Sequence, residues 1–366
     1  MKVPYGYLQR QFAEPEPILA RIGQLVKTGQ LTLGAEVERF EAAFAEFIGA
    51  RYAIGVGSGT DALFLSLKAL GVGPGDEVIT AVNTFVATAG AIETAGARLR
   101  FVDCNEKYVL DPNKLEAAIS PKTKVIVPVH YTGQPVDMSA IQAIADRHGL
   151  AILEDACTAI DAGQNDVRCG AWGKLAAFSM HPIKNLHVWG DAGVICTQKP
   201  DLAEMLRLMR NHGMTDRDTY AFYAYNSRLD TLQAAVGNAL LPEVRNHTDN
   251  RIANAFAYDL AFKQVPQITI PPRPAQDRAV YHMYMIQVED RDGLLAYLKQ
   301  KGVSAKVHYP VPLHLQPASA KLGYGPGDFP VAETQAQKII SLPVHPYLTQ
   351  EEKEFVIEKV LQFYGK

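Results

Sequence analysis

Short apolar runs bounded by glycine, proline or aspartate recur along the first half of the chain, and between them apolar positions fall three and four apart. The runs read as buried strands and the spaced stretches as amphipathic helices. Candidate strands are "YAIGVG" (52–57), "EVIT" (77–80), "RLRFVD" (98–103), "KVIVPVH" (124–130), "LAILEDA" (150–156), "KLAAFSM" (174–180) and "GVICT" (193–197). "TDALFLSLKAL" (60–70) and "MSAIQAIADRH" (138–148) are typical of the helical stretches between them. This alternation predicts an α/β fold with a mostly parallel sheet flanked by helices, because parallel neighbours need crossover connections. A loop joins the last two strands, which points to an antiparallel pair or an irregular connection.

Farther on, "NSRLDTLQAAVGNALLPEV" (226–244) reads as one long helix. The chain then turns proline-rich at "QITIPPRPAQD", and "VYHMYMIQVE" (280–289), "LLAYLKQKG" (294–302) and "SAKVHYP" (304–310) predict strand, helix, strand. The expected organisation is a large domain over residues 1–245, including an N-terminal arm, and a smaller C-terminal α+β domain over 246–366.

Composition fits an ordinary globular protein, with 48% hydrophobic and 20% charged residues. The formal net charge of −3, with 36 basic against 39 acidic side chains, leaves no electrostatic footprint for nucleic acid or an anionic membrane. The start, "MKVPYGYLQRQ", lacks the apolar core of a secretory signal, and no apolar run approaches the roughly 18 residues of a spanning helix, so a cytoplasmic location is expected. Cys104, Cys157, Cys169 and Cys196 lack the paired short spacings of a zinc or redox site; we expect reduced, structural thiols and no metal.

Three places carry candidate chemistry. In "VGSGTDAL" (56–63) a strand runs through a glycine-serine turn into a helix, and free amides at such a start favour an anion such as phosphate; the plainer alternative is a cap by Ser58 or Thr60. In "LAILEDACTA" (150–159) two acids end a strand, so Asp155 can face a ligand beyond the carboxyl edge of the sheet while Glu154 points to the other face. In "SMHPIKNLHVWGDAG" (179–193), Pro182 stiffens a loop that carries Lys184.

An anion site, a strand-end carboxylate and a loop lysine at one sheet edge match the needs of pyridoxal phosphate. Its phosphate needs the first, its ring nitrogen the second, and its aldehyde an amine for a Schiff base. Phe85, in "NTFVATAG" (83–90), follows another strand and offers a ring for stacking, with core packing as the plain alternative.

These segments, with "GAEVERFEAAFAEFIGARYAIGVGSGTDAL", "GVGPGDEVIT", "FSMHPIKN", "GDAGVICT", "YNSRLDTLQAA" and "VHYPVPLH", resemble over nearly the whole chain the DegT/StrS sugar aminotransferases among the fold-type I pyridoxal-phosphate enzymes. The resemblance implies that Lys184 forms the Schiff base, Asp155 pairs with the ring nitrogen and Phe85 stacks on the ring. Gly59, Thr60 and Ser179 correspond to phosphate contacts, and Asn226 to one donated by the neighbouring subunit, which implies a homodimer with shared active sites. His308 and Tyr309 align near the substrate pocket. Two positions depart from the family: Thr158 stands where glutamine or histidine is usual beside the cofactor, and His187 and Trp189 replace small residues and are candidates for shaping the sugar pocket.

By the same resemblance the reaction moves an amino group, usually from L-glutamate, to a keto-sugar, most often nucleotide-linked, in amino-sugar biosynthesis. A free keto-sugar or cyclitol is the alternative substrate. A sugar dehydratase, which in one family branch has histidine in place of the lysine, and a non-catalytic cofactor-binding regulator are alternatives of other classes.

Overall fold

The computed structural model describes residues 1–366. Its centre is a seven-stranded sheet of β1 (Tyr52–Val56), β2 (Glu77–Ala81), β3 (Arg98–Val102), β4 (Thr123–Val127), β5 (Ala151–Asp155), β6 (Leu175–Ser179) and β7 (Gly193–Thr197), in the spatial order β1-β7-β6-β5-β4-β2-β3. Only β7 runs against its neighbours, so the loop-joined pair β6 and β7 is antiparallel and all other strands share one direction. The central strands are buried on both faces and read as continuous apolar runs, whereas edge strand β3 shows alternating exposure.

Successive residues feed opposite faces of the sheet. Ile54, Leu153, Leu175 and Ala177 join one cluster with the helices Gly59–Ala69 and Pro200–Met209; Ala53, Ala176 and Phe178 join a second with the helix Ala35–Ile48. Ile79, Ile126 and Ile152 face a third cluster, which also receives Met283, Met285 and Ile339 from the C-terminal part. That part holds a small antiparallel sheet of β8 (Ile268–Thr269), β9 (Tyr284–Val288) and β10 (Ile339–Leu342), packed on the helices Val244–Phe262, Arg291–Gln300 and Gln350–Phe363. Val3 belongs to this last core and pairs with Val303, so the first residues of the chain lie on the C-terminal part.

Two expectations are corrected. Residues 226–244 are not one helix: 226–230 run extended, with backbone bridges from Asn226 to Asn211 and from Asp230 to Thr32, and the helix spans Thr231–Leu240. Pro242 then enters a 3₁₀ turn before the helix Val244–Phe262 starts. Apolar spacing could not reveal pairing with residues far away in the chain. Residues 304–310 are not a strand either. Lys306 makes a single bridge to Ser341, after which Val307 and Tyr309 turn in against the third cluster; the third strand is β10, at a position read without structure.

Candidate active site

Because β7 alone is reversed, β1, β5 and β6 deliver their ends to the same edge, where open α/β sheets hold ligands. β1 passes through residues 57–58 straight into the helix Gly59–Ala69. Ser58 caps that helix by accepting the Asp61 N–H at 3.0 Å, and the amides of Gly59 and Thr60 remain at a helix start whose dipole attracts an anion. Ser179, the last residue of β6, lies against this turn: a Cβ on Gly59 would stand 2.6 Å from Ser179 Cβ and 3.2 Å from Cys157 Sγ. Position 59 therefore requires glycine, and the turn and the Ser179 side chain form one cradle. Both readings of "VGSGT" hold together, a cap and an anion-favouring start.

At the end of β5 the two acids part. Glu154 is fully buried and accepts from the amides of Gly170, Trp172 and Gly173 at 2.7, 2.8 and 2.7 Å, with His130 Nε2 at 3.0 Å. Asp155 is also buried, but its Oδ2 receives only the Thr88 hydroxyl at 2.7 Å and its Oδ1 only the Cys157 N–H at 3.1 Å. Thr88 spends its one proton on Asp155 and so accepts from Thr84, 2.8 Å away. No cation contacts the Asp155 carboxylate, which leaves it suited to a protonated heterocycle.

Lys184 sits in loop 181–192 and its amine makes no hydrogen bond; its backbone N–H donates to the His181 carbonyl at 2.8 Å. Burial pushes the amine below the ordinary lysine value, against the opposing pull of Cys157 and Asp155. Burial, aided by Asp155, raises the Cys157 thiol well above its usual range and keeps it protonated. An amine shifted by burial below its ordinary value, within electrostatic reach of a buried carboxylate that no cation contacts, is an arrangement for carbonyl chemistry.

Phe85 caps the helix Val86–Thr94 with its ring 51% exposed, and Tyr309 lies 5.9 Å from it, centre to centre. Burial pushes the Tyr309 phenol up to about 12 and the His308 imidazole down to about 4, the latter helped by Lys306. His308 Nδ1 meets Ser341 Oγ at 2.9 Å, and its carbonyl accepts from Tyr131 at 2.7 Å. Phe85, Tyr131, His308, Tyr309 and Leu313 line a mainly apolar cavity of about 620 Å³ that Lys184 and Asp155 do not line. Thr158 donates to the His130 carbonyl at 2.9 Å, so its hydroxyl keeps only acceptor capacity for anything beside it.

His187 and Trp189 are not among the residues lining that cavity. His187 is 1% exposed, with its ring against Tyr7 and Phe12, and Trp189 packs edge-on to Phe12 at 5.5 Å. The N-terminal arm packs on both, burying His187 and leaving Trp189 half-buried. Asn226 is exposed, on a segment where Tyr223 is also exposed, while its neighbour Ser227 binds the Gly57 amide at 3.1 Å and Asp61 at 2.9 Å.

Sequence reasoning passed over three residues near these groups. Thr88 was within reach of inspection, three residues after Phe85 and so on the same helical face. His282, whose imidazole is held well below its ordinary pKa by burial and by Lys184, was absorbed into a strand pattern. Tyr7 donates to the Lys184 carbonyl at 3.1 Å from 177 residues away, a contact with no local signal.

A model of the DegT/DnrJ/EryC1/StrS aminotransferase family matches residues 13–361. The chain belongs to that family. It is 42% identical, over 100% of its length and 99% of the relative's, to the pleiotropic regulatory protein of Geobacillus stearothermophilus. It is 40% identical, over 99% of its length and 94% of the relative's, to the dTDP-3-amino-3,4,6-trideoxy-alpha-D-glucose transaminase of Streptomyces venezuelae. Among solved structures it is similar to S. venezuelae DesV in complex with a ketimine intermediate, with TM-score 0.97 and 39% identity, covering 100% of this chain and 99% of that one. The fold is that of the pyridoxal-phosphate aminotransferases, and pyridoxal phosphate is the cofactor. The residues fit it: a glycine-only cradle, a carboxylate lacking a counter-ion, an amine shifted toward its neutral form and an exposed aromatic face. No helix is long and apolar enough to cross a membrane.

Proposed function

We propose that this aminotransferase moves an amino group from L-glutamate to a nucleotide-linked keto-sugar, working as a homodimer in the cytoplasm. The observation that carries the reading is the pairing of Lys184, an amine without a hydrogen bond and pushed by burial toward neutrality, with the buried, counter-ion-free Asp155. The nucleotide link is supported by the dTDP-sugar transaminase to which the chain is 40% identical. Four free thiols, three of them buried, suit a reducing compartment.

When bound, pyridoxal phosphate supplies a carbonyl carbon for amines and a ring that spreads negative charge. In our reading Gly59, Thr60 and Ser179 would bind its phosphate, and Phe85 would shield one side of the site from water. Asp155 holds a proton at the ring nitrogen, which makes the ring the better electron sink. Lys184 Nζ would hold the cofactor through its aldehyde carbon. With the amine free, the same atom would be the base that takes the α-carbon proton of the donor and, as its conjugate acid, the group that gives a proton back. His308 and Tyr309 orient the sugar, and Asn226 reaches the phosphate site of the other subunit. Thr158, its proton committed to the His130 carbonyl, would offer the cofactor only an acceptor. His187 and Trp189 support the lysine loop instead of contacting substrate.

Adding L-glutamate to the purified holoprotein is expected to bleach its visible absorbance and release 2-oxoglutarate; dTDP- or UDP-linked keto-sugars then restore the band. Restoration by a free inosose but by no nucleotide-linked sugar would overturn the substrate reading, and normal turnover by Lys184→Ala would overturn the lysine's role. Mixing inactive Lys184→Ala and Asn226→Ala subunits is expected to recover activity, because one site of the mixed dimer is then complete.

A further inference from the structure

Within the Lys184 loop the backbone bonds are few, Lys184 N–H to the His181 carbonyl at 2.8 Å and Val188 N–H to the Met180 carbonyl at 2.9 Å, and contacts from elsewhere add to them. Gln233 closes on Trp189 from both sides, accepting its N–H and donating to its carbonyl, each at 2.9 Å, and Asn185 donates to the Val280 carbonyl at 3.2 Å. The third fastening is at the lysine itself: its carbonyl receives the Tyr7 hydroxyl at 3.1 Å and lies 3.1 Å from His187 Nδ1. For both contacts to be hydrogen bonds His187 must carry its proton on Nδ1, which leaves Nε2, a buried atom without a partner, as an acceptor.

Tyr7 is held as firmly as what it holds. Its ring stacks on His345 at 5.6 Å and on Tyr347 at 5.8 Å, with the Arg251 guanidinium 5.3 Å over its face. On one side of it Val3 exchanges hydrogen bonds with Gly302 and Ser304 at 2.9 and 3.0 Å; on the other Arg10 makes two bonds to Glu352 at 2.7 and 2.6 Å. The arm is thus a strap fixed to the C-terminal part at both ends and touching the lysine peptide in the middle.

We propose that Tyr7 is a positioning residue for Lys184: its hydroxyl, together with His187, locks the lysine's carbonyl and so aims the long side chain that carries the reactive amine. The proposal rests on Lys184 being the cofactor's lysine. Catalysis depends on near-attack geometry, and an ångström of misplacement is costly.

The test compares wild-type holoenzyme with Tyr7→Phe, which keeps the ring and removes the hydroxyl. Tyr258→Phe serves as control, losing a buried tyrosine-to-carbonyl bond of 2.8 Å to Pro343 in the C-terminal core. Borohydride reduction and peptide mapping should label Lys184 in all three. Tyr7→Phe is expected to shift the pH midpoint of the visible band by about half a unit or more and to lower kcat on the order of ten-fold, with KM for the donor nearly unchanged. Tyr258→Phe should lower Tm and move neither. Labelled Lys184 with an unmoved midpoint in Tyr7→Phe overturns the clamp alone, even if kcat falls in step with Tm. Failure to label Lys184 in the wild type overturns the lysine assignment and the clamp with it.

Discussion

Glu154 and Asp155 are neighbours at the end of one strand, both carboxylates, both buried, and the molecule uses them in opposite ways. Glu154 is saturated by three amides and His130, so it ties the 170–173 turn to the sheet and has nothing left to offer. Asp155 has one hydroxyl and one amide, and no cation. A buried charge whose hydrogen bonds are complete is a structural device; one left short of a counter-ion by its own chain awaits a partner from outside it.

Each of four experiments would break or sharpen that contrast. The largest effect is expected from Asp155→Asn: kcat/KM falls on the order of a thousand-fold, as when a preorganised electrostatic group is lost, while Tm moves by less than about 3 °C. Glu154→Gln should do the reverse, losing about 3 kcal/mol of stability in chemical unfolding because an amide donor now faces amide donors, with the surviving folded enzyme turning over normally. A stable but inactive Glu154→Gln protein would exchange the two roles. Thr88→Val removes one of the two donors to Asp155 and should cost about 1 kcal/mol, with a measurable rise in the KM or Kd for the cofactor.

The last experiment concerns two buried histidines divided in the same way, and its effect vanishes at neutral pH. His130 lies on Glu154, whereas His187 has an unpartnered Nε2, and burial pushes its pKa from 6.5 down to about 4. The unfolded chain binds a proton at this position below pH 6.5 and the folded chain does not until about pH 4, so stability is lost as pH falls through that window. The contribution is at most about 1.4 kcal/mol per pH unit. Melting curves at several pH values in that range should show a flatter decline for His187→Gln than for wild type; equal slopes would remove His187 from the acid response.

The central strands of the large sheet were legible because double burial writes a continuous apolar run, and the helix Met138–His148 because one face is apolar at helical spacing. The extended segment 226–230 and the path of residues 304–310 were not, because each is held by single bridges to distant residues, Asn211, Thr32, Ser341 and the arm at Val3. Within the site, the glycine turn at 57–59, the acid at 155 and the lysine at 184 could be read together, since strand ends of one parallel sheet converge on one edge; Ser179 came only with the family resemblance. The part played by His187 and Trp189 could not: both stood beside the lysine in the chain, and only the arm folding over them set their direction.

What the amino-acid order determined alone is therefore what short-range rules control: strand and helix period, the glycine turn into a helix, the stiff proline loop and the chemical types at the sheet's edge. Tertiary structure decided which of two adjacent acids stays short of partners, which hydroxyl serves Asp155, and that Tyr7 holds a lysine carbonyl 177 residues away. Those outcomes depend on burial and on hydrogen-bond completion, which are properties of the packed molecule and are not defined for a segment considered alone.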